Sequence, residues 1–351
     1  MKTKIVPIDE KNIDKEALKE AGMIIQKGGL VAFPTETVYG LGGNALDKSA
    51  AEKIYRAKGR PSDNPLIVHI CRMEDMNSIA AQVPETAGKL ADAFWPGPLT
   101  MILRKSGKVP YETTGGLDTV AVRMPGHKTA LALIEAAGGY VAAPSANISG
   151  RPSPTQAKYV AEDMYGRIEM ILDGGDICIG LESTIVDLTE RVPVILRPGY
   201  VTKEMLERVL GHVEIDRAVL EDGQAPKAPG MKYKHYAPKG DLTIISGMQE
   251  KVVAEINRRC REMEKEGEKV GIIGTDETAA FYETGNIKSA GSRTEESSIA
   301  RALYRILREF DDEGVTVIYS EAFEEPAEGG GMGQAIMNRL LKAAGHHIVK
   351  L

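Results

Sequence analysis

The sequence predicts an α/β protein built as two units, a larger one with a mixed sheet followed by a smaller one. Three observations carry this reading. Short apolar runs bounded by glycine, proline and hydroxyl residues alternate with segments of helical period. Some runs succeed one another with no helix between them, as at 183–188 and 192–196, which makes the sheet mixed. Between Ile215 and Gly240 the pattern fails, and it then resumes.

The elements follow in order. Residues 12–27 space their apolar positions (Ile13, Leu18, Ala21, Ile24, Ile25) as a helix does, and Gly28-Gly29 ends it. Leu30 to Phe33 is a short buried strand. Ser49-Ala-Ala-Glu52 has the form of a capping box, opening a helix that runs to Lys58 and stops at Gly59. Strands are expected at 65–70, 99–104, 119–124, 140–143, 169–172, 183–188 and 192–196, and helices at 84–94, 127–137, 155–165 and 202–210. The smaller unit reads as strands at 242–245, 270–273 and 315–320 with helices at 249–265, 295–310 and 332–344. Gly329-Gly-Gly-Met-Gly333 opens the last of these, but fits GxGxxG poorly and is assigned no cofactor.

A chain of 351 residues can bury two cores, and 42% hydrophobic with 27% charged residues is a globular composition. No apolar run approaches the roughly 18 residues of a membrane helix, and the first residues lack a signal-peptide core. Cys71, Cys178 and Cys260 lie far apart with no CxxC, against a disulfide framework or a structural zinc site. A cytoplasmic protein is expected. A formal net charge of −6 argues against a broad nucleic-acid surface, though not against local basic clusters aimed at one small anion. Two such clusters are present: Lys53, Arg56, Lys58 and Arg60, then Lys227, Lys232, Lys234, His235 and Lys239.

The stretch after the first strand concentrates the interest. Pro34 ends its ladder, and Thr35, Glu36, Thr37 and a run of glycines follow. A polar turn leading into a glycine-rich loop is one reading, and a ligand site at the carboxyl edge of the sheet is the other. Walker A, HExxH, GxSxG and the kinase motifs are all absent, which points away from a covalent nucleophile or a metal held by the protein alone. The polar residues at element ends are what remain. Lys58 and Arg60 follow a helix end, with Asn64 before a strand. They are either dipole partners or a phosphate-binding arm. Arg123 ends an apolar strand, as an internal salt-bridge partner or a clamp for a carboxylate. Ser145 and Asn147 lie in the turn after 140–143, Ser183 starts a strand and Arg197 ends one. Small donors beside arginines suit a small acidic molecule next to a polyphosphate. The segment 225–240, with two tyrosines and a histidine, reads as an ordered lid rather than a plain linker.

The segments FPTETVYGLGGNA, KGRPSDNPLIVHI, WPGPLT, TVAVRMPGH, APSANISGRPSPT, ESTIVDL and ILRPG closely resemble the YrdC-like domain of the threonylcarbamoyl-AMP synthases. The loop APGMKYKHYAP and the second unit resemble the longer, two-domain form of that family, although Ala228 stands where the family usually has serine. The resemblance spans roughly residues 10–240 and is weaker beyond. It implies a twisted mixed-sheet YrdC-like domain (1–214), an interdomain lid (215–240) and a smaller Rossmann-like three-layer α/β/α domain (241–351). It further implies condensation of L-threonine, bicarbonate or CO2 and ATP to L-threonylcarbamoyl-AMP and pyrophosphate, with Mg2+ accompanying ATP. A separate transferase would then modify tRNA beside the anticodon, with at most a weak contact between this chain and tRNA.

Carried onto this sequence, Thr35, Thr37, His69, Arg123, Ala143 and Ser183 would hold threonine. Lys58, Arg60, Asn64, Thr119, Ser145, Ser153, Arg197 and the lid's His235 would hold ATP. Lys58 and Arg60 would stabilise charge at the phosphates. Two readings of other classes are a double-stranded RNA-binding module of the same fold, disfavoured by the net charge, and a nucleotide sensor without catalysis. A carbamoyl-transfer factor of hydrogenase maturation is excluded by the lack of CxxC zinc modules.

Overall fold

The computed structural model describes residues 1–216, 236–323 and 331–351. The described chain divides into two compact units. The first comprises Met1–Ser149, Ser153–Cys178 and the chain from Glu182 to residue 216. The second comprises the remaining described residues from 236 onward, with the short pieces Gly150–Pro152 and Ile179–Leu181.

In the first unit eleven strands form one mixed sheet. They are β1 (Lys4–Pro7), β2 (Val31–Phe33), β3 (Gly40–Asn44), β4 (Ile67–His69), β5 (Leu99–Arg104), β6 (Thr119–Arg123), β7 (Val141–Ala142), β8 (Met170–Asp173), β9 (Thr184–Asp187), β10 (Val194–Arg197) and β11 (Glu214–Ile215). Their order is β1-β8-β2-β3-β7-β4-β6-β5-β9-β10-β11. Parallel and antiparallel neighbours alternate irregularly: β4 runs parallel to β6, while β3 lies antiparallel to both β2 and β7.

Helices flank this sheet for reasons visible in the sequence. Asp14 caps helix Lys15–Gln26 by accepting from the Glu16 and Ala17 amides, and Ala17, Leu18, Ala21, Gly22 and Ile25 form its buried stripe. Gly22 sits so close to helix Lys128–Ala136 that a Cβ would lie 2.5 Å from the Ala136 carbonyl oxygen. Helix Lys48–Lys58 begins one residue before the expected capping box. Asp47 is its N-cap, accepting from Ser49 N, so Ser49 is a first-turn residue and no cap. Gly59 ends it in the left-handed region at φ 64°.

Three strands of this unit escape the sequence reading. β1 is an edge strand exposed along most of its length, and β11 has two residues. β3 is the instructive one. Gly40-Leu-Gly-Gly-Asn44 reads as a loop whose glycines turn the chain past a ligand, yet it is a buried strand inside the sheet. None of its three glycines has a positive φ. They are needed because neighbours press on them: a Cβ on Gly42 would lie 2.9 Å from the Phe33 ring and 2.9 Å from Val141 Cγ1.

The second unit carries five parallel strands: β12 (Asp241–Ser246), β13 (Val270–Gly274), β14 (Asn286–Ser289), β15 (Val317–Glu321) and β16 (Ile348–Lys350). Their order is β14-β13-β15-β12-β16. Helices Gln249–Lys265, Glu296–Glu313 and Met332–Ala343 supply the crossovers. Ile245, Val252, Ile256, Cys260, Ile272 and Tyr319 belong to its core. The strands missed in sequence are the two at the edges, β14 with its polar Asn-Ile-Lys-Ser and β16.

Candidate active site

The chain leaves β2 at Phe33 and re-enters the sheet at Gly40, and the turn between them is locked by its own hydroxyls. Thr35 Oγ1 donates to the Val38 carbonyl at 2.6 Å and accepts from the Thr37 and Val38 amides. With that proton committed, Thr37 is the donor of the 2.9 Å bond between the two hydroxyls. Both threonines are buried.

Arg123, the last residue of β6, reaches this turn. Its Nη2 donates to Thr37 Oγ1 at 3.0 Å and to Glu36 Oε1 at 2.7 Å, and its Nε to the Gly97 carbonyl. Of the two readings of Arg123, the structure therefore displays the internal ion pair, with side chains only 5% and 13% exposed. The other carboxylate oxygen of Glu36, Oε2, is buried and meets no hydrogen-bond partner among the described residues.

His69 ends β4 and stands in register with Arg123 on β6. Burial, and then the neighbouring Arg123 charge, push its pKa down to about 3, so the imidazole is neutral throughout the physiological range. Its Nδ1 lies 3.2 Å from the Ile67 carbonyl, and its ring stands edge-on to Phe33 at 6.3 Å. The glycines of β3 thus have a consequence here: they leave room for the Phe33 ring that packs against His69.

Three strands beyond β6 in the sheet, Arg197 at the end of β10 grips Ser183. Its Nε donates to the Ser183 carbonyl at 3.0 Å and its Nη2 to Ser183 Oγ at 3.1 Å. Ser183 Oγ is also 2.7 Å from Thr100 Oγ1 on β5. The pairing of Met101 with Val122 carries Thr100 to the level of Arg123, so β5 lies between Arg123 on β6 and Ser183 at the start of β9.

A further group gathers at the end of helix Lys48–Lys58. Lys58 is 1% exposed, and its ammonium donates to the Ser145 and Asn147 carbonyls. Arg60 closes the turn that follows, with Nη2 donating to Asn64 Oδ1 at 2.6 Å and Nε to the Asn64 carbonyl at 3.1 Å. Ser145 Oγ donates to Asn147 Oδ1, and Ser153 Oγ to Glu182 Oε1 at 2.6 Å. The turn 143–147 runs beside β3: Gly40 bridges Ser145, and the Leu41 amide donates to the Pro144 carbonyl. Ala143 N donates to the Ile67 carbonyl, next to the strand that bears His69.

Thr119 is set apart, four residues before Arg123 at the opposite end of β6, about 13 Å away along an extended strand. His235 and most of the expected lid fall within 217–235, outside the described residues. Glu36, Thr100 and Glu182 join the clusters without having been assigned a role from the sequence. Glu36 had a signal, a charge between two small hydroxyls right after a buried strand; Thr100, inside the apolar run Leu-Thr-Met-Ile-Leu, had little. Among the described residues no group of three acid, histidine or cysteine side chains converges as a metal site.

A family model described as telomere recombination matches residues 23–199, and one described as threonylcarbamoyl-AMP synthase, C-terminal domain, matches 201–345. The threonylcarbamoyl-AMP synthase of Pyrococcus abyssi is 50% identical over 99% of this chain and its own full length. The chain belongs to the threonylcarbamoyl-AMP synthase family. A second member, from Bacillus subtilis, is 45% identical over the whole of both chains. A crystal structure of a P. abyssi family member complexed with L-threonine superposes with a TM-score of 0.92 at 48% identity, covering 99% of this chain and all of the other. The mixed α/β architecture followed by a second, parallel-sheet unit is therefore that of the family, as the sequence motifs imply.

Proposed function

We propose that the chain is an L-threonylcarbamoyladenylate synthase, a nucleotidyltransferase acting on L-threonine, bicarbonate or CO2 and ATP. The observation that carries the proposal is the Arg123–Thr37–His69 constellation beside Ser183–Arg197, in a chain that matches a threonine-complexed relative along its length.

In this reading the threonine amine takes up CO2 as a carbamate. A carbamate oxygen then attacks the α-phosphorus of ATP, and the bond to the β-phosphate oxygen breaks, releasing pyrophosphate. No covalent intermediate with the protein is required; orientation and charge neutralisation lower the barrier. Arg123 offers its guanidinium to the threonine carboxylate. Neutral His69, Thr37, Thr35, Ser183 and the backbone at Ala143 surround the rest of the amino acid. The nucleotide falls to Lys58, Arg60, Asn64, Thr119, Ser145, Ser153 and Arg197, joined by His235. Lys58 and Arg60 now donate to backbone carbonyls, so phosphate oxygens would take the place of those acceptors. Mg2+, when bound with ATP, neutralises phosphate charge. The product would pass to a separate transferase for tRNA modification in the cytoplasm.

Pyrophosphate release from ATP and Mg2+, with threonine and bicarbonate omitted in turn, tests the proposal. Release is expected only with all components present; release indifferent to threonine would overturn it.

A further inference from the structure

The Arg123–Glu36 pair is a buried ion pair that is only half satisfied. One carboxylate oxygen of Glu36 is held at 2.7 Å, and the other, Oε2, is buried with no hydrogen-bond partner among the described residues. Enclosing a carboxylate oxygen without a donor is costly, so evolution of a merely structural salt bridge would be expected to supply one. Arg123 has other acceptors in Thr37 Oγ1 and the Gly97 carbonyl and does not depend on Glu36 alone.

The geometry points to Glu36 as the counter-charge for the α-ammonium group of the amino-acid substrate. This rests on the threonine site proposed above and adds to it the group that recognises the amine. An amino acid enters as a zwitterion, bearing the same two charges as the internal pair. Its carboxylate exchanges with Glu36 on Arg123, and the freed Glu36 carboxylate receives the ammonium, giving Oε2 the donor it lacks. Each buried charge is re-paired rather than stripped, so the exchange avoids leaving either alone in a low-dielectric pocket. Position favours the same outcome, because Glu36 lies between Thr35 and Thr37, and Gly126 brings backbone close to its carboxyl (a Cβ there would be 3.5 Å from Glu36 Cδ).

The test is calorimetric binding of L-threonine and of 3-hydroxybutyrate, its analogue without the amine, to the full chain and to Glu36→Gln. The wild type should prefer threonine by about tenfold or more, the scale of a charge-assisted contact. In Glu36→Gln, threonine should weaken by about tenfold while 3-hydroxybutyrate is unchanged or tighter. Equal weakening of both ligands would make Glu36 only a support for Arg123. Equal tightening of both would make it only a competitor for the guanidinium. Either result overturns the inference, as does a wild type that binds both alike, a measurement independent of how well the variant folds. A wild type that binds no threonine would instead overturn the proposed function.

Discussion

At the scale of single residues, the site is a set of polar groups that, Glu36 Oε2 apart, already have partners, and substitution effects follow from which partner is stranded. Arg123→Ala is expected to abolish threonine-dependent pyrophosphate release while leaving ATP binding mostly intact; equal loss of both would remove its carboxylate role. The same change leaves Glu36 enclosed and unpaired, and should cost about 3 kcal/mol of stability in urea unfolding, much of it regained in the Arg123→Ala/Glu36→Gln double variant. His69 gives a pH signature. Its folded pKa of about 3 lies below that of the unfolded chain, so between these values only the unfolded state is protonated. Stability should therefore fall as pH drops from about 6.5 toward 3, with His69 contributing up to about 1.4 kcal/mol per pH unit. Urea titrations across that range should show a shallower acid limb in His69→Gln; an unchanged limb would mean the ring is not buried neutral. Legibility differs at this scale. Arg123, Ser183 and Arg197 were readable because polar residues at the ends of apolar runs stand out. Glu36 needed coordinates, because only they show which of its oxygens lacks a donor.

At the scale of elements, the long helices were legible from period and caps, and β3 was not. A strand announces itself through alternating side chains, and Gly-Leu-Gly-Gly has only one to show. Two glycines a short distance apart illustrate different duties. Gly59 ends its helix at φ 64° with open space around it, so Gly59→Ala should cost only the backbone strain, about 1 kcal/mol. Gly42 has ordinary backbone angles but no room, and Gly42→Ala should cost about 2 kcal/mol through displacement of the Phe33 ring and Val141. Chemical denaturation ranks the two; a larger loss at Gly59 would contradict the packing account. Because the displaced ring is the one against His69, Gly42→Ala should also weaken threonine binding, and Gly59→Ala should leave it less affected.

For the whole molecule, two units with separate sheets answer the composition-level expectation of two cores, and the alternation of strand and helix foretold the α/β class of both. What composition did not reveal is the strand order, since it depends on which apolar runs pair across long separations. A ligand that binds only the folded chain stabilises it by mass action, so threonine and ATP at a hundredfold excess over their dissociation constants should each add about 2.7 kcal/mol to unfolding. A melting temperature indifferent to both would count against a built site. The central place of β3 has one more consequence. Its amides are enclosed by β2 on one side and β7 on the other, so they should exchange with deuterium only when the whole first unit opens. A stretch whose glycines mark it as pliant by composition would then be among the last to exchange its hydrogens, and its exchange rate a direct reading of that unit's global stability.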